Sequence, residues 1–410
     1  MKKIMIIFLV TFSLYANHVF VGCEGNYYQS NGSIWFLNEG LSYEYSGIPL
    51  GETVQSLYVY NDKLFVTVNG SHTIEVFNID EQGIEHFLSI DTNASSPREM
   101  VAYTDRLYFS NWYSADVKVL NLNTFEITDE IAMPGLPEDI VILDGTLYIS
   151  ITMNYDWSDG NKVVSIDPVT NTILNTYDVG LGPGDMLVHN NEIYISRTYY
   201  DENWNAFYGT SKINSNDEVI FANYGAGSAC GGSVHSYQNQ VYRVYDGGIA
   251  RLNENLDIMP ETRIGDFSQS DIYSVEVIQD KIYFGLSDFT HPDQVVVLNF
   301  NGDIIQEYSV GVAPGDFALW EPCLGNGDVN EDNNLNIFDI VMAVSLIVSE
   351  SSFNCKVDLN EDGAMNIMDI IVMVQDIFNI DSFSGAVNWI NRHFPSLDII
   401  GKLKTTNSIK

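Results

Sequence analysis

The 410-residue sequence predicts an all-β fold, a seven-bladed β-propeller closed by N- and C-terminal strands, with a small α-helical domain behind it. Three observations carry that prediction. A hairpin unit recurs every 40 to 50 residues, an apolar strand at the end of the repeats lacks partners of its own, and the composition changes abruptly after Gly327.

The hairpins show the repeat best: VYNDKLFV from Val59, AYTDRLYF from Ala102, ILDGTLYI from Ile142, VHNNEIYI from Val188, SYQNQVYR from Ser236 and VIQDKIYF from Val277. Each sets turn-forming residues between two β-rich arms, which is a hairpin signal with a mechanism. Third strands follow, among them TIEVFNID, VKVLNLN, KVVSIDP and VVVLNFNG. Six units fill residues 51 to 312. The seventh first strand, APGDFALW from Ala313, then stands alone. The N-terminal segments GNYYQS, IWFLN and LSYEYS are expected to complete its blade, because sealing the ring removes exposed strand edges. A six-bladed ring would leave both ends unpartnered. Repeat length and the NG/DP turns resemble the YVTN-type propeller repeats of bacterial surface proteins over most of residues 24 to 320. Such a resemblance implies a fold more than an activity.

This register places Cys23 just before a pairing strand and Cys323 just beyond the closing one, so a Cys23–Cys323 disulfide is expected. Cys355 is the rival partner for Cys323, and Cys230 reads as free.

A formal charge of −37 excludes nucleic acid, whose phosphates demand a basic surface, and anionic membranes. Lys2, Lys3 and the apolar run Ile4 to Ala16 read as an export signal, with cleavage after about residue 16 to 22. The run is too short to span a bilayer, and no later stretch reaches about 18 apolar residues. Val21-Gly22-Cys23 leaves lipoprotein anchoring through Cys23 as a minority alternative to free secretion. The expected domains are therefore a signal peptide (1–22), the propeller (23–322), a helical domain (323–380) and a C-terminal tail (381–410).

Aligning the units on their hairpins gives one column at the mouth of the central channel: Ser56, Glu99, Asp139, Asp185, Ser233, Ser274 and Asp316. Converging carboxylates and hydroxyls make an oxygen-rich site for a hard cation or a polyol. The competing reading is turn chemistry, each acid capping its own backbone after Pro97, Pro137, Pro183 or Pro314. On the same face, long loops bring Trp112, Tyr113, Tyr155, Trp157, Tyr199, Tyr200 and Trp204, an aromatic rim suited to sugar rings or to a protein partner, unless the rings pack under their own loops. Catalytic signals are absent: the histidines are scattered, and no nucleophile elbow or phosphate loop occurs. His189 and His235 align with each other on the opposite face and read as structural.

After Gly327, GDVNEDNNLNIFD and VDLNEDGAMNIMD are near copies. The first offers Asp328, Asn330, Asp332, Asn334, Asn336 and Asp339 as oxygen ligands; the second offers Asp358, Asn360, Asp362, Ala364, Asn366 and Asp369. Spacing 1, 3, 5, 7, 9, 12 lets one loop wrap a Ca2+ ion, so two ions are expected. Position 6, where a sharp turn favours glycine, is Gly363 in one loop and Asn333 in the other. An apolar helix follows each loop. The duplicated loop–helix pattern resembles the type I dockerin module, which implies a cohesin-like partner recognised through Ile337, Phe338, Ile367 and Met368. This sequence has apolar pairs where the family often has Ser or Thr.

The function expected is a secreted or cell-surface binding or scaffold protein, its propeller recognising a glycan or protein ligand and its dockerin-like module tethering it to a partner. The alternative is a propeller lyase or hydrolase delivered to polysaccharide.

Overall fold

The computed structural model describes residues 17–38, 40–227, 232–290, 292–322, 325–330, 334–348, 354–360 and 365–378. The chain divides into two compact units, Met1–Glu321 and Pro322–Lys410. The first contains seven four-stranded antiparallel sheets, the blades of a propeller.

Blade 1 joins Pro314–Trp320 to His18–Cys23, Ser33–Asn38 and Leu41–Glu44. The other six are continuous in sequence, with inner strands Val54–Tyr60, Pro97–Tyr103, Leu136–Leu143, Pro183–His189, Val234–Tyr237 and Ile272–Ile278 in blades 2 to 7. Each inner strand turns into the second through a residue in the left-handed region: Asn61, Thr104, Asp144, Asn190, Gln238 or Gln279, with φ from 45° to 56°. That backbone twist matches the twist of the flanking strands, and so it closes tight hairpins.

The core lies between successive blades, where alternating apolar residues of adjacent sheets meet. Phe20, Ile34 and Trp320 of blade 1 pack on Leu64, Val66 and Phe77 of blade 2. Tyr108 and Val117 of blade 3 pack on Ile140 and Ile149 of blade 4.

Closure of the ring by the two chain ends is as the unpaired Ala313–Trp320 segment requires, but the strand that closes it differs. It is His18–Cys23, not GNYYQS; Val21 pairs with Phe317 on one side and Trp35 on the other. All six residues of that strand are buried, because it is the second strand of its blade, covered on both faces and paired on both edges. His18 stacks on Trp320 with centroids 5.2 Å apart. Residues 18–22, placed in the expected leader, form part of this propeller strand. Cys23 is a buried free thiol, which corrects the expected Cys23–Cys323 disulfide. Cys355 is disulfide-bonded; Cys230 and Cys323 lie outside the described residues.

The second unit contains α1 (Ile337–Val348) and α2 (Ile367–Phe378). Ile340, Ala343, Ile370, Met373 and Val374 form its core with Val329 and Val357. Each helix is anchored by a fully buried aspartate at its third residue. Asp339 accepts the Val329 and Asn336 backbone N–H groups at 2.9 and 2.8 Å, and Asp369 accepts that of Asn366 at 2.7 Å.

Candidate ligand-binding site

A cavity of about 660 Å³ opens at the centre of the propeller. Glu99, Asp139, Asp185, Ser233, Ser274 and Asp316 line it. The seventh residue of that column, Ser56, is buried beside Glu99 and hydrogen-bonds it. The residue before each column member lines the cavity as well: Gln55, Arg98, Glu138, Gly184, Gly232, Tyr273 and Gly315. Strict alternation along a strand would turn these away. Register shifts at Val54/Ser56, Pro97/Met100, Pro137/Ile140, Pro183/Met186 and Ile272/Ser274 explain the doubling, since a bulge turns two consecutive residues to one side.

The acids do two jobs. Asp139 accepts its neighbour Ile140 N–H at 2.7 Å and, across the blade boundary, Met186 N–H at 2.5 Å. Asp316 likewise accepts Phe317 N–H at 2.8 Å and Leu57 N–H of the next blade at 2.6 Å. The capping expected of Pro-x-Asp is thus present and extends between blades. Ser274 adds a bond to the Pro314 carbonyl at 2.6 Å.

Burial, and after it the crowding of like charges, raises the acids together. Burial, then the Asp185 charge, pushes Asp139 up to about 8, although two N–H donors oppose it. Burial lifts Asp316 to about 7 against its own N–H donors. Asp185 rises to about 6 through burial and Glu138; the residue is solvent-exposed at the mouth, which tempers that field. Glu99 lies well above the usual carboxylate range, first from burial, then from Asp316, Asp139 and Glu138. One guanidinium answers them: Arg98 pairs with Glu138, donates to Gln55 and lies 4.2 Å over the Trp112 ring.

The aromatic rim rises from the same mouth. Thr152, Met153 and Thr198, at the ends of second strands, line the cavity and lead directly into the loops carrying Tyr155, Trp157, Tyr200 and Trp204. Trp112 lines the cavity and meets Trp157 edge-on at 5.9 Å. Its indole Nε1 is buried without a hydrogen-bond partner among the described residues. Tyr113, Tyr155, Trp157 and Trp204 are exposed; Tyr199 stacks on Phe207 and Tyr200 contacts Trp204.

The two exposed tryptophans occupy an unusual backbone position. Trp157 and Trp204 have φ of 66° and 62°, each at the fourth residue of a five-residue turn whose fourth N–H donates to the first carbonyl. The same turn recurs with Asp217, Leu256 and Gly302 at that position. Gly302 suits it without strain, and Leu256 is there fully buried. Trp204, 78 % exposed, is neither glycine nor buried, and only the exposed Asp217 shares that among the other three.

The column missed Glu24, His235 and Glu276, which also line the cavity. Burial raises Glu24, opposed by the Tyr273 hydroxyl and Arg98. His235 does not sit on the opposite face: it is buried, on the inner strand of blade 6, beside Ser233 and Glu276. Glu24, Ser233, His235 and Glu276 are far apart in sequence or one strand step apart, so only blade geometry gathers them.

Among the described residues no group of three or more His, Cys, Asp or Glu converges as a metal site. Of the loop ligands, Asp332, Asp362 and Ala364 lie outside those residues; Asp339 and Asp369 are buried at their helix starts. The expected partner-binding pairs divide. Ile337 and Phe338 are exposed, whereas Ile367 and Met368 pack against the helical core.

The first unit is a seven-bladed β-propeller enclosing a polar, acidic central cavity. No family model matches the chain, and no curated protein matches it. Solved structures share the fold. A functionally unknown protein from Desulfotomaculum acetoxidans is 13 % identical with a TM-score of 0.55, covering 75 % of this chain and 100 % of its own. A Bacteroides fragilis protein described as a candidate 6-phosphogluconolactonase is 11 % identical with a TM-score of 0.54, covering 74 % and 98 %. Hydrazine synthase of Kuenenia stuttgartiensis is 13 % identical with a TM-score of 0.52, covering 64 % and 88 %. At these identities the likeness is one of fold. No helix among the described residues is long and apolar enough to cross a membrane.

Proposed function

We propose that the chain is an exported binding protein whose propeller recognises a glycan at the central mouth and whose helical unit is a calcium-bound, dockerin-like tether. The observation that carries the reading is Trp204, an exposed tryptophan in a left-handed backbone position that its own packing does not repay. A left-handed backbone costs a side-chain-bearing residue on the order of 1 kcal/mol. Function is the usual reason to keep such strain. Trp157 repeats the arrangement one blade away and touches Trp112 at the cavity wall. Exposed indoles stack on the apolar faces of sugar rings, while cavity carboxylates accept hydroxyl hydrogens and the Trp112 N–H donates to a ring or hydroxyl oxygen. A concave site of this volume suits a few sugar units better than a flat protein surface.

In the helical unit, the repeated loops and their aspartate-anchored helices support calcium binding, and the exposed Ile337 and Phe338 support docking of a cohesin-like module or cell-surface component.

The test is a glycan array probed with the full-length protein and with Trp204→Gly. Glycan binding that Trp204→Gly loses, without a lower Tm, is the expected result. A blank array with folded wild-type protein overturns the glycan reading.

A further inference from the structure

We propose that Ser233, His235 and Glu276 form a nucleophile–base–carboxylate relay that gives the propeller an acyl-transfer activity toward small uncharged carboxylic esters. The inference goes beyond ligand recognition and needs no glycan.

The geometry carries it. Ser233 Oγ lies 2.6 Å from His235 Nε2, and His235 Nδ1 faces Glu276 Oε1 of the next blade at 3.6 Å. The carboxylate is itself oriented, since Oε1 accepts the Val277 N–H at 3.0 Å. A carboxylate opposite Nδ1 selects the tautomer with the proton on that nitrogen, and Nε2 is left to accept the serine hydroxyl proton. Serine, imidazole and acid are thus in the order that activates a hydroxyl nucleophile. Ser233 and His235 are nine-tenths buried, yet all three residues line the cavity, so a substrate entering the mouth meets the serine in a partly dehydrated setting.

The chemistry balances as ester hydrolysis. Ser233 Oγ bonds to the acyl carbon as its proton passes to His235 Nε2. The bond from the acyl carbon to the alcohol oxygen breaks, and that oxygen takes the proton from Nε2. Water then attacks the acyl carbon and gives a proton to Nε2; the bond from that carbon to Ser233 Oγ breaks, Oγ takes the proton back from Nε2, and a carboxylic acid leaves. The charge of the cavity sets the substrate class. Glu138, Asp185 and Glu276 repel an anionic ester on entry and repel the carboxylate product once it forms.

Full-length protein is treated with a neutral alkyl fluorophosphonate and, separately, with p-nitrophenyl acetate, and adducts are located by peptide mass mapping. The expected result is one phosphonyl adduct, on Ser233, together with p-nitrophenol release that Ser233→Ala abolishes. His235→Gln slows labelling by about a hundredfold or more, the usual contribution of a general base. Glu276→Gln, at a partly exposed side chain, slows it with the fold intact even if the two buried substitutions fail to fold. Folded wild-type protein that takes no adduct, takes it elsewhere, or labels as fast in Glu276→Gln overturns the proposal.

Discussion

Asp316 Oδ2 accepts the Leu57 N–H at 2.6 Å, tying the inner strand of blade 1 to that of blade 2 beside the point where the two ends of the chain close the ring. Asp139 makes the corresponding bond to Met186 between blades 4 and 5. The carboxylates of the mouth are therefore part of the ring's framework as well as of its site.

Replacing Asp316 with alanine leaves the Leu57 and Phe317 N–H groups without their acceptor. An unmade buried hydrogen bond costs about 1–3 kcal/mol, so urea unfolding should show a loss of that order for the propeller transition. A midpoint equal to wild type would show that water replaces the carboxylate at no cost.

Stability should fall as pH rises. Asp185, Asp316 and Asp139 are raised to about 6, about 7 and about 8, above the ordinary carboxylate value of about 4. Between those limits the folded state holds protons that the unfolded chain has released. Their contribution is complete below about pH 4 and is lost as pH climbs through the folded values. Calorimetry should give a higher propeller Tm at pH 5 than at pH 8.5, and Asp139→Asn should flatten the difference. A Tm that rises over this range contradicts the assignment.

Cys23 should resist alkylation in the folded protein and react completely once unfolded, because burial both hides the thiol and raises its pKa. Non-reducing peptide mapping should recover it unpaired. Recovery of a Cys23–Cys323 peptide would restore the disulfide expected from the repeat register.

On the export reading, the N-terminus of the processed chain should lie upstream of His18. Removal of residues 1–22 takes away the strand between Pro314–Trp320 and Ser33–Asn38, with the His18–Trp320 stack. Intact-mass measurement gives the first residue directly, and a chain starting at Cys23 should unfold at a much lower temperature. Equal stability of the two would refute the role of this strand.

Calcium removal should act on the helical unit alone. Its two Asp/Asn-rich loop sequences supply carboxylates and amides that a divalent ion would neutralise, and binding energy of that kind is folding energy. With chelator, the transition of the helical unit should move to lower temperature while that of the propeller stays. A thermogram unchanged in every transition would remove the calcium reading.

How far the sequence alone reaches can be seen residue by residue. Turn residues such as Asn61 and Asn190, and the alternation around them, are local chemistry, and they determined seven blades and a ring closed by both ends of the chain. The loop–helix repeat was legible for the same reason: residues 337 and 367 begin helices where each Asp/Asn loop stops. Six of the seven channel residues were found because one strand position repeats in every blade. That rule fails where strands bulge, and it is silent where residues distant in sequence meet. An apolar run reads alike as a leader or as a buried strand, and only the free edges of Pro314–Trp320 and Ser33–Asn38 chose His18–Cys23 as the strand. Bulges turned Arg98 and Glu138 into the cavity, which no period-2 reading contains. Ser233 and His235 sit one strand step apart, but nothing local joins them to Glu276; the packing of blade 7 on blade 6 brings that carboxylate to the imidazole.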